Sequence, residues 1–385
     1  MASRRSDAAD RLAGLAMPSE REEIWRYLDL DFDPAFASAP SAPGDTGVPD
    51  SVIDGWEGTV VTIVDGFVTT PGVSTVAEVG EELTMVNDEH LFATAFTAYA
   101  PGAALIAGDL LADHVLIDVQ VTSSATTFPG VHVDVASGSD ATVIVRLRST
   151  TDAPATVVPT ITATVGDNAR LTLTIIQDWN YQTRSIGRGV VELGRDASLT
   201  LSEIGLGAKL GRLHLDVNFV GDGSTAKVYG AYFGEESQTL DYRYFMNHIG
   251  MHTRSDMFLK GAVADDALSV FTGMIRIEES GQKTEAFQTN RNLILSSGAS
   301  AQSVPNLEIL ANDVKCGHGS TVGPLDKDQR YYLMSRGLTP ERADRLQVRG
   351  FFEEVVEQIP DKAIAAWARE RINGKYVSAQ EEGRV

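Results

Sequence analysis

Gly138-Ser139-Asp140-Ala141-Thr142-Val143, Gly166-Asp167-Asn168-Ala169-Arg170-Leu171 and Gly194-Arg195-Asp196-Ala197-Ser198-Leu199 are three versions of one phrase: a glycine, two turn-forming positions, an alanine, then the start of an apolar run. The glycines stand 28 residues apart in both intervals. Gly221-Asp222-Gly223 falls at about the same interval, and Asp265-Asp266-Ala267-Leu268-Ser269-Val270 reads as a later, drifted copy. Runs such as Val115-Leu116-Ile117-Asp118-Val119, Val131-His132-Val133-Asp134-Val135 and Ala141-Thr142-Val143-Ile144-Val145 put every second side chain on one face of a strand. A fixed period that holds two strands and two turns, with no helix between them, describes a β-solenoid. One coil cannot bury its apolar face alone, whereas stacked coils share a long core. The alternative is a sandwich or barrel, whose strand spacing is less regular.

A solenoid has two ends with open backbone donors and acceptors. Helical segments before and after the repeats are expected to cap them. The chain therefore divides into a helical region with a linker and a small hairpin over 1–100, the solenoid over 101–325 and a helical region over 326–385. In the first region, Ser19 and Glu22 have capping-box spacing and predict a helix with Ile24, Trp25, Tyr27 and Leu28 on its apolar face. Residues 33–50, rich in Pro, Ala, Ser and Gly, read as a linker, and residues 75–100 as a mixed stretch with a short helix. Asp65-Gly66 between two β-rich runs signals a hairpin. In the last region, Asp326 caps one helix and Thr339-Pro340 starts a second, which carries the stripe Phe352, Val355, Val356, Ile359. Asp361 starts a third helix, expected to close at Asn373-Gly374, with a fraying tail from Ser378.

The net charge of −21 and a sequence pI near 4.7 argue against non-specific binding to nucleic acid or an anionic membrane. A single cysteine excludes an internal disulfide framework and fits a reducing compartment. No apolar run is long enough to span a bilayer, and Arg4 and Arg5 are not followed by the apolar segment of a secretory signal. A cytoplasmic location is the expectation.

Sites with their own chemistry are scarce. Gly281-Gln282-Lys283-Thr284 lacks the spacing of a phosphate-binding loop, and Gly205 to Gly211 misses the dinucleotide fingerprint by one residue. Gly317 to Gly323 contains Ser320 but no nucleophile elbow. His248 and His252 read as packing or turn residues, and Asn290 and Asn292 as a solvated polar ladder. Asp109, Asp113 and Asp118 suggest the carboxylates of a polysaccharide-acting β-helix, without the basic neighbours such chemistry needs. The exception is Lys315-Cys316-Gly317-His318-Gly319. On a strand, Cys316 and His318 present thiol and imidazole to one face, and both are ligands for iron or zinc. Two ligands do not complete a site, so a second chain or a small molecule would supply the rest. The alternative is a small buried thiol beside a structural histidine.

Further motifs make the chain recognisable. Gln288-Thr289-Asn290-Arg291-Asn292-Leu293, Asn306-Leu307-Glu308-Ile309, Asn312 through Gly323, Tyr331-Tyr332-Leu333-Met334-Ser335-Arg336-Gly337, Gly350-Phe351-Phe352-Glu353-Glu354 and the N-terminal Glu22-Glu23-Ile24-Trp25-Arg26-Tyr27 resemble the SufB/SufD family of iron–sulfur cluster assembly proteins. The Lys-Cys-x-His-Gly segment is similar to the SufD type, and the upstream cysteine of SufB-type chains is missing. The resemblance implies a mainly β chain: a right-handed parallel β-helix flanked by helical regions. It implies a non-enzymatic scaffold that pairs with a SufB-type chain and docks the SufC ATPase on its C-terminal helices, through Tyr332, Arg336, Phe351, Phe352 and Val355. His318, assisted by Cys316, would sit where the cluster forms. No cofactor would be held stably by this chain alone; iron or a cluster would pass through the complex. Self-pairing of the isolated chain is a further expected state. A purely structural platform and a β-helix enzyme are the alternative functions.

Overall fold

The computed structural model describes residues 2–45, 53–76 and 91–385. Its core is two sheets wound by one chain, with ten and eleven strands among the described residues. In the first sheet, strand Arg170–Asp178 pairs with Ser198–Gly205, then Thr225–Gly234, Arg254–Val263, Glu285–Ile294 and Lys315–Gly323 follow in order. In the second, Arg184–Leu193, Leu210–Phe219, Thr239–His248, Leu268–Ile277 and Ser300–Ile309 do the same. Each strand runs parallel to the one two places later, so the coils stack as a β-solenoid of about eight turns. Parallel pairing between alternate strands excludes an antiparallel sandwich or barrel.

Alternation fixes the two faces. Leu171, Leu173 and Ile175 stack on Leu199 and Leu201, then Val228, Met257 and Leu259, and line the interior. Their sequence neighbours Ile176, Ile204, Ala231 and Phe233 point outward and are nevertheless buried.

The repeat differs from the sequence expectation in two places. Asp140 faces Arg170 and Arg170 faces Ser198, intervals of 30 and 28 residues. The glycine alignment of the first two copies is therefore two residues out of register. A slip of two preserves inward and outward faces, so alternation cannot detect it. The extra residues sit in the longer corner after Ser149. The Asp265-Asp266 copy belongs to the opposite corner. It precedes a strand of the second sheet, whereas the earlier copies precede strands of the first. Both corners demand a left-handed residue, and Asn168, Asp196, Glu236 and Asp265 all supply one, which makes their sequences alike.

The Asp65-Gly66 hairpin forms as expected, with positive φ at both residues, as a tight turn matched to strand twist requires. Five α-helices flank the solenoid among the described residues: α1 (Ala2–Leu12), α2 (Leu91–Tyr99), α3 (Lys327–Ser335), α4 (Pro340–Val356) and α5 (Lys362–Glu381). Helix α2 is the short helix expected within 75–100; residues 77–90 of that stretch lie outside the described residues, as do 46–50 of the linker. The helix expected after Ser19 is only a 3-10 turn, Glu23–Trp25. Half of the capping box is made, since the Ser19 N–H donates to the Glu22 carboxylate at 3.0 Å. Tyr27 then takes φ 78° and ends the segment. Trp25 is instead fully buried against Phe92 and over the Arg212 guanidinium, 4.0 Å from its ring. Helix α5 does not stop at Asn373-Gly374 but runs to Glu381. The tail is held too, because Arg384 pairs with Glu235 and Asp265.

The helices do not cap the C-terminal end. They lie along the side of the coils, where Val348, Phe352, Val355, Val356, Ile364, Ala368 and Ile372 cover the outward Ile176, Ile204, Ala231 and Phe233. An amphipathic helix buries its stripe where it finds apolar area, each such side chain contributing roughly 1.5–3 kcal/mol. The outward isoleucines and Phe233 provide that area; the end of the solenoid stays open.

Candidate functional site

The last coil is made of strands Ser300–Ile309 and Lys315–Gly323, each at the edge of its sheet. Among the described residues nothing pairs with their outer edges. Inward-facing positions, buried in every earlier coil, are uncovered here: Leu307 is 37% exposed, Ile309 41% and Val322 45%. Cys316 and His318 belong to the same inward files, so the expected shared face is found. Cys316 stands over Ala286 and His318 over Gln288. Cys316 is half-buried against the end of the core and His318 is exposed. Burial pushes the Cys316 thiol above its ordinary range, against a weaker pull from a backbone hydrogen bond at Ala286. A metal arriving here must displace a proton to obtain the thiolate. No group of three or more His, Cys, Asp and Glu side chains poised for a metal occurs among the described residues.

Beneath this end the interior turns polar. Gln288, Asn290 and Asn292 are no more than 3% exposed. Asn290 and Asn292 are therefore not a solvated ladder. They face inward, where Asn290 Nδ2 donates to the Tyr232 hydroxyl at 3.0 Å and that hydroxyl donates to Asn292 Oδ1 at 2.7 Å. Arg291 between them points outward to Glu354. Three coils below Asn290, Glu203 accepts from Gln177 at 2.8 Å and from Tyr244 at 3.2 Å. Burial raises its carboxyl to about 8, against those hydrogen bonds. Sequence reasoning missed Glu203. The available signal was its parity with Leu199 and Leu201, which assigns it to the interior.

The other expectations separate. Tyr332 is 55% exposed on α3 beside Tyr331 at 76%, and Arg336 stacks on its ring at 5.2 Å. Phe351 is half-buried, with the Lys260 ammonium 4.4 Å from its ring. Phe352 and Val355 are 3% and 1% exposed and pack on the solenoid. They hold α4 in place and offer no side chain to a partner, so their assignment to a docking surface is corrected. The i, i+3 stripe that drew attention to them is the buried face of the helix. His248 is buried between Thr253 and Ser255, and His252 occupies a left-handed turn position, as the packing reading expects. Asp118 does have a basic neighbour: Arg148 grips it with two hydrogen bonds of 2.7 and 2.9 Å. That closed pair leaves no free carboxylate, and Asp109 and Asp113 are exposed apart from it. No described helix is long and apolar enough to cross a membrane.

The sequence profile described as SUF system FeS cluster assembly, SufBD core domain, matches residues 118–351. An iron–sulfur cluster assembly SufBD family protein of Mycobacterium leprae is 29% identical over 367 residues, covering 91% of this chain and 89% of that one. The iron–sulfur cluster assembly protein SufD of Escherichia coli is 30% identical over 241 residues, 63% of this chain and 57% of its own. SufD of Bacillus subtilis is 32% identical over 201 residues, 52% and 46% of the two chains. The matches to the two SufD proteins thus span about half of those chains. The stretch matched by the profile contains most of the coils, the open end with Cys316 and His318, and α3 with its exposed tyrosines. The chain belongs to the SufBD family of iron–sulfur cluster assembly proteins, as a SufD-type member.

Proposed function

We propose that the chain is a non-catalytic scaffold subunit that pairs through its open coil with a SufB-type paralogue, docks a SufC-type ATPase on its C-terminal helices and presents His318 to the forming cluster. The observation that carries this reading is the open end itself. Two edge strands with free backbone groups, ringed by exposed Leu307, Ile309 and Val322, form a template for a second chain of the same fold. His318 stands on that surface with Cys316 beneath its rim, and the missing metal ligands would come from the partner. Iron or the nascent cluster is cargo here, held only while the subunits are joined. Movement of α3 and α4 by the ATPase would reach the coil beneath the open end through Glu354, which binds both Lys260 and Arg291.

In a reconstituted assembly with both partners, His318→Ala is expected to slow cluster formation by roughly tenfold to a hundredfold while the subunits still co-purify. An unchanged rate removes His318 from the chemistry. Tyr332→Ala, at an exposed aromatic side chain of the kind that anchors interfaces, is expected to weaken ATPase binding by about 2 kcal/mol in a titration, with no change in thermal stability. Equal affinity moves the docking surface elsewhere. A purely structural platform is favoured by one fact, the lack of a three-donor group of His, Cys, Asp and Glu among the described residues. It expects the double substitution of Cys316 and His318 to leave cluster formation intact.

A further inference from the structure

Between α4 and α5 runs a narrow cleft with a cationic wall. Arg345 and Arg349 line it from α4, Arg369 and Asn373 from α5, over a floor of buried Phe352 and Ile372. Each pair is spaced i, i+4, so its two side chains share one face of their helix. The carboxylate of the cleft, Glu353, is taken: Arg369 Nε donates to both its oxygens, at 3.1 and 2.8 Å. Arg349 is exposed and acts on Glu353 only from a distance, with no ion pair among the described residues. Arg345 Nη2 donates to Gln380 Oε1 at 3.0 Å, and Gln380 is itself fixed, its Nε2 donating to the Glu341 carbonyl at 3.0 Å. The Arg345 Nε is left buried with no partner among the described residues. An unmade donor on a charged group is among the costlier omissions in a fold, and like charges one helical turn apart repel. The setting favours an anion here. Residues 326–385 hold eleven Lys and Arg against eleven Asp and Glu, so the net charge of −21 lies wholly in residues 1–325.

We propose that this cleft binds a doubly charged tetrahedral oxyanion, phosphate or the phosphate end of a monoester, held by Arg345 Nε, the Arg349 guanidinium and the Asn373 amide. Guanidiniums present N–H groups in a rigid fork that matches such oxygens, and Gln380 already holds one of the two in place. Two guanidiniums without a carboxylate match the two charges of the ion. Once occupied, the site ties α4 to α5 by a second polar bridge beside the Glu353–Arg369 pair. Neither Tyr331 nor Tyr332 of α3 lines the cleft, and no residue of the open coil does. The site therefore stands or falls apart from the function proposed above.

The test follows the Arg345 Nε–H signal in proton–nitrogen correlation spectra of the full-length chain, identified by its loss in Arg345→Lys, as inorganic phosphate is added. AMP serves as the monoester, and sodium chloride at equal ionic strength as the control. The signal is expected to move along a saturating curve with half-saturation on the order of 1 mM, and to stay in place with chloride. Arg349→Gln, at an exposed position, should fold as the parent does and raise the half-saturation point by about tenfold or more. Arg349→Lys keeps the charge without the fork and should fall between the two. Saturation by phosphate alone identifies the free ion as the ligand, and saturation by AMP as well identifies the phosphate group in general; either supports the site. A shift that chloride reproduces, that never saturates, or that Arg349→Gln leaves at the same half-saturation overturns it.

Discussion

Glu203→Gln is expected to stabilise the folded chain by roughly 4 kcal/mol near pH 8 and to flatten its stability profile on the alkaline side. Glu203 faces the interior between Leu201 and Gly205, with its carboxyl bonded to Gln177 and Tyr244. Burial raises that carboxyl from 4.5 to about 8. Below 4.5 the group is protonated in both the folded and the unfolded chain. Between 4.5 and about 8 only the folded chain keeps the proton, so unfolding releases it and rising pH favours unfolding. Above about 8 both forms are ionised, and the full cost of a buried anion remains. Glutamine has the same shape, keeps an acceptor for Gln177 and can donate to the Tyr244 oxygen, and it never ionises. Urea unfolding across this range, parent against variant, should give curves that converge towards pH 4.5 and separate as pH rises. Parallel curves would mean that Glu203 titrates like an ordinary carboxylate. The tyrosines around it are neutral throughout, because burial raises Tyr232 to about 12 and raises Tyr242 and Tyr244 as well.

Periodicity carried the solenoid, the hairpin and the helix starts, because each depends on a local rule. Alternation needs only a two-residue repeat, Asp65-Gly66 needs only a turn that accepts positive φ, and Asp326, Thr339 and Asp361 cap their helices through side-chain oxygens as their types suggest. What escaped depends on partners far away in the chain. Gly374 sits inside α5 because neighbouring Ile372 and Tyr376 are buried with Val348 and Phe352 of α4 and hold the helix together past a poor helix former. Ser19 fails to start a helix because Trp25 gains more over Arg212 and Phe92 than as one step of an apolar stripe. Asn290 and Asn292 looked solvated because a polar residue on a strand says nothing about which side it faces; register supplies that. The site was legible as a pair, Cys316 and His318, since their spacing alone puts them on one face. What lies beneath it was not, because Gln288 comes to stand under His318 only through stacking of a separate coil. The open end was also hidden, since the helices that could have capped it were drawn to the outward Ile176, Ile204 and Phe233.

The same lateral docking sets the last expectation. Helix α5 is fastened to the coils by Lys375, whose ammonium meets Glu235 at 2.5 Å and donates to the Tyr181 oxygen at 2.6 Å and the Leu206 carbonyl at 2.9 Å. Arg384, from the tail, closes on the same carboxylate at 3.0 Å. The side chain of Glu235 is 5% exposed and that of Lys375 12%. Burial acts most strongly on both groups. It pulls the Lys375 ammonium below its ordinary range, against Glu235; for Glu235 it would raise the carboxyl, but Lys375, Tyr181 and Arg384 together draw it down. Glu235→Gln leaves two cations facing a neutral amide, and breaking a buried pair from one side costs about 3–5 kcal/mol. The solenoid keeps its own ladder and core, so the loss should fall on the attachment of α5. Amide exchange in Lys362–Glu381 should accelerate by about a hundredfold or more while the strands keep their protection. Adding Lys375→Met to Glu235→Gln removes the stranded charge and should recover most of the loss, a coupling that a double-mutant cycle reads directly. In the parent chain the depressed Glu235 carboxyl gives the same link an acid limit: its contribution is complete above the ordinary 4.5 and is lost as pH falls through the lower folded value. Exchange that stays slow in α5, or that rises equally in the coils, would show that the apolar face alone holds the helix, and that any partner pulling on α3 and α4 acts against packing and not against this ion cluster.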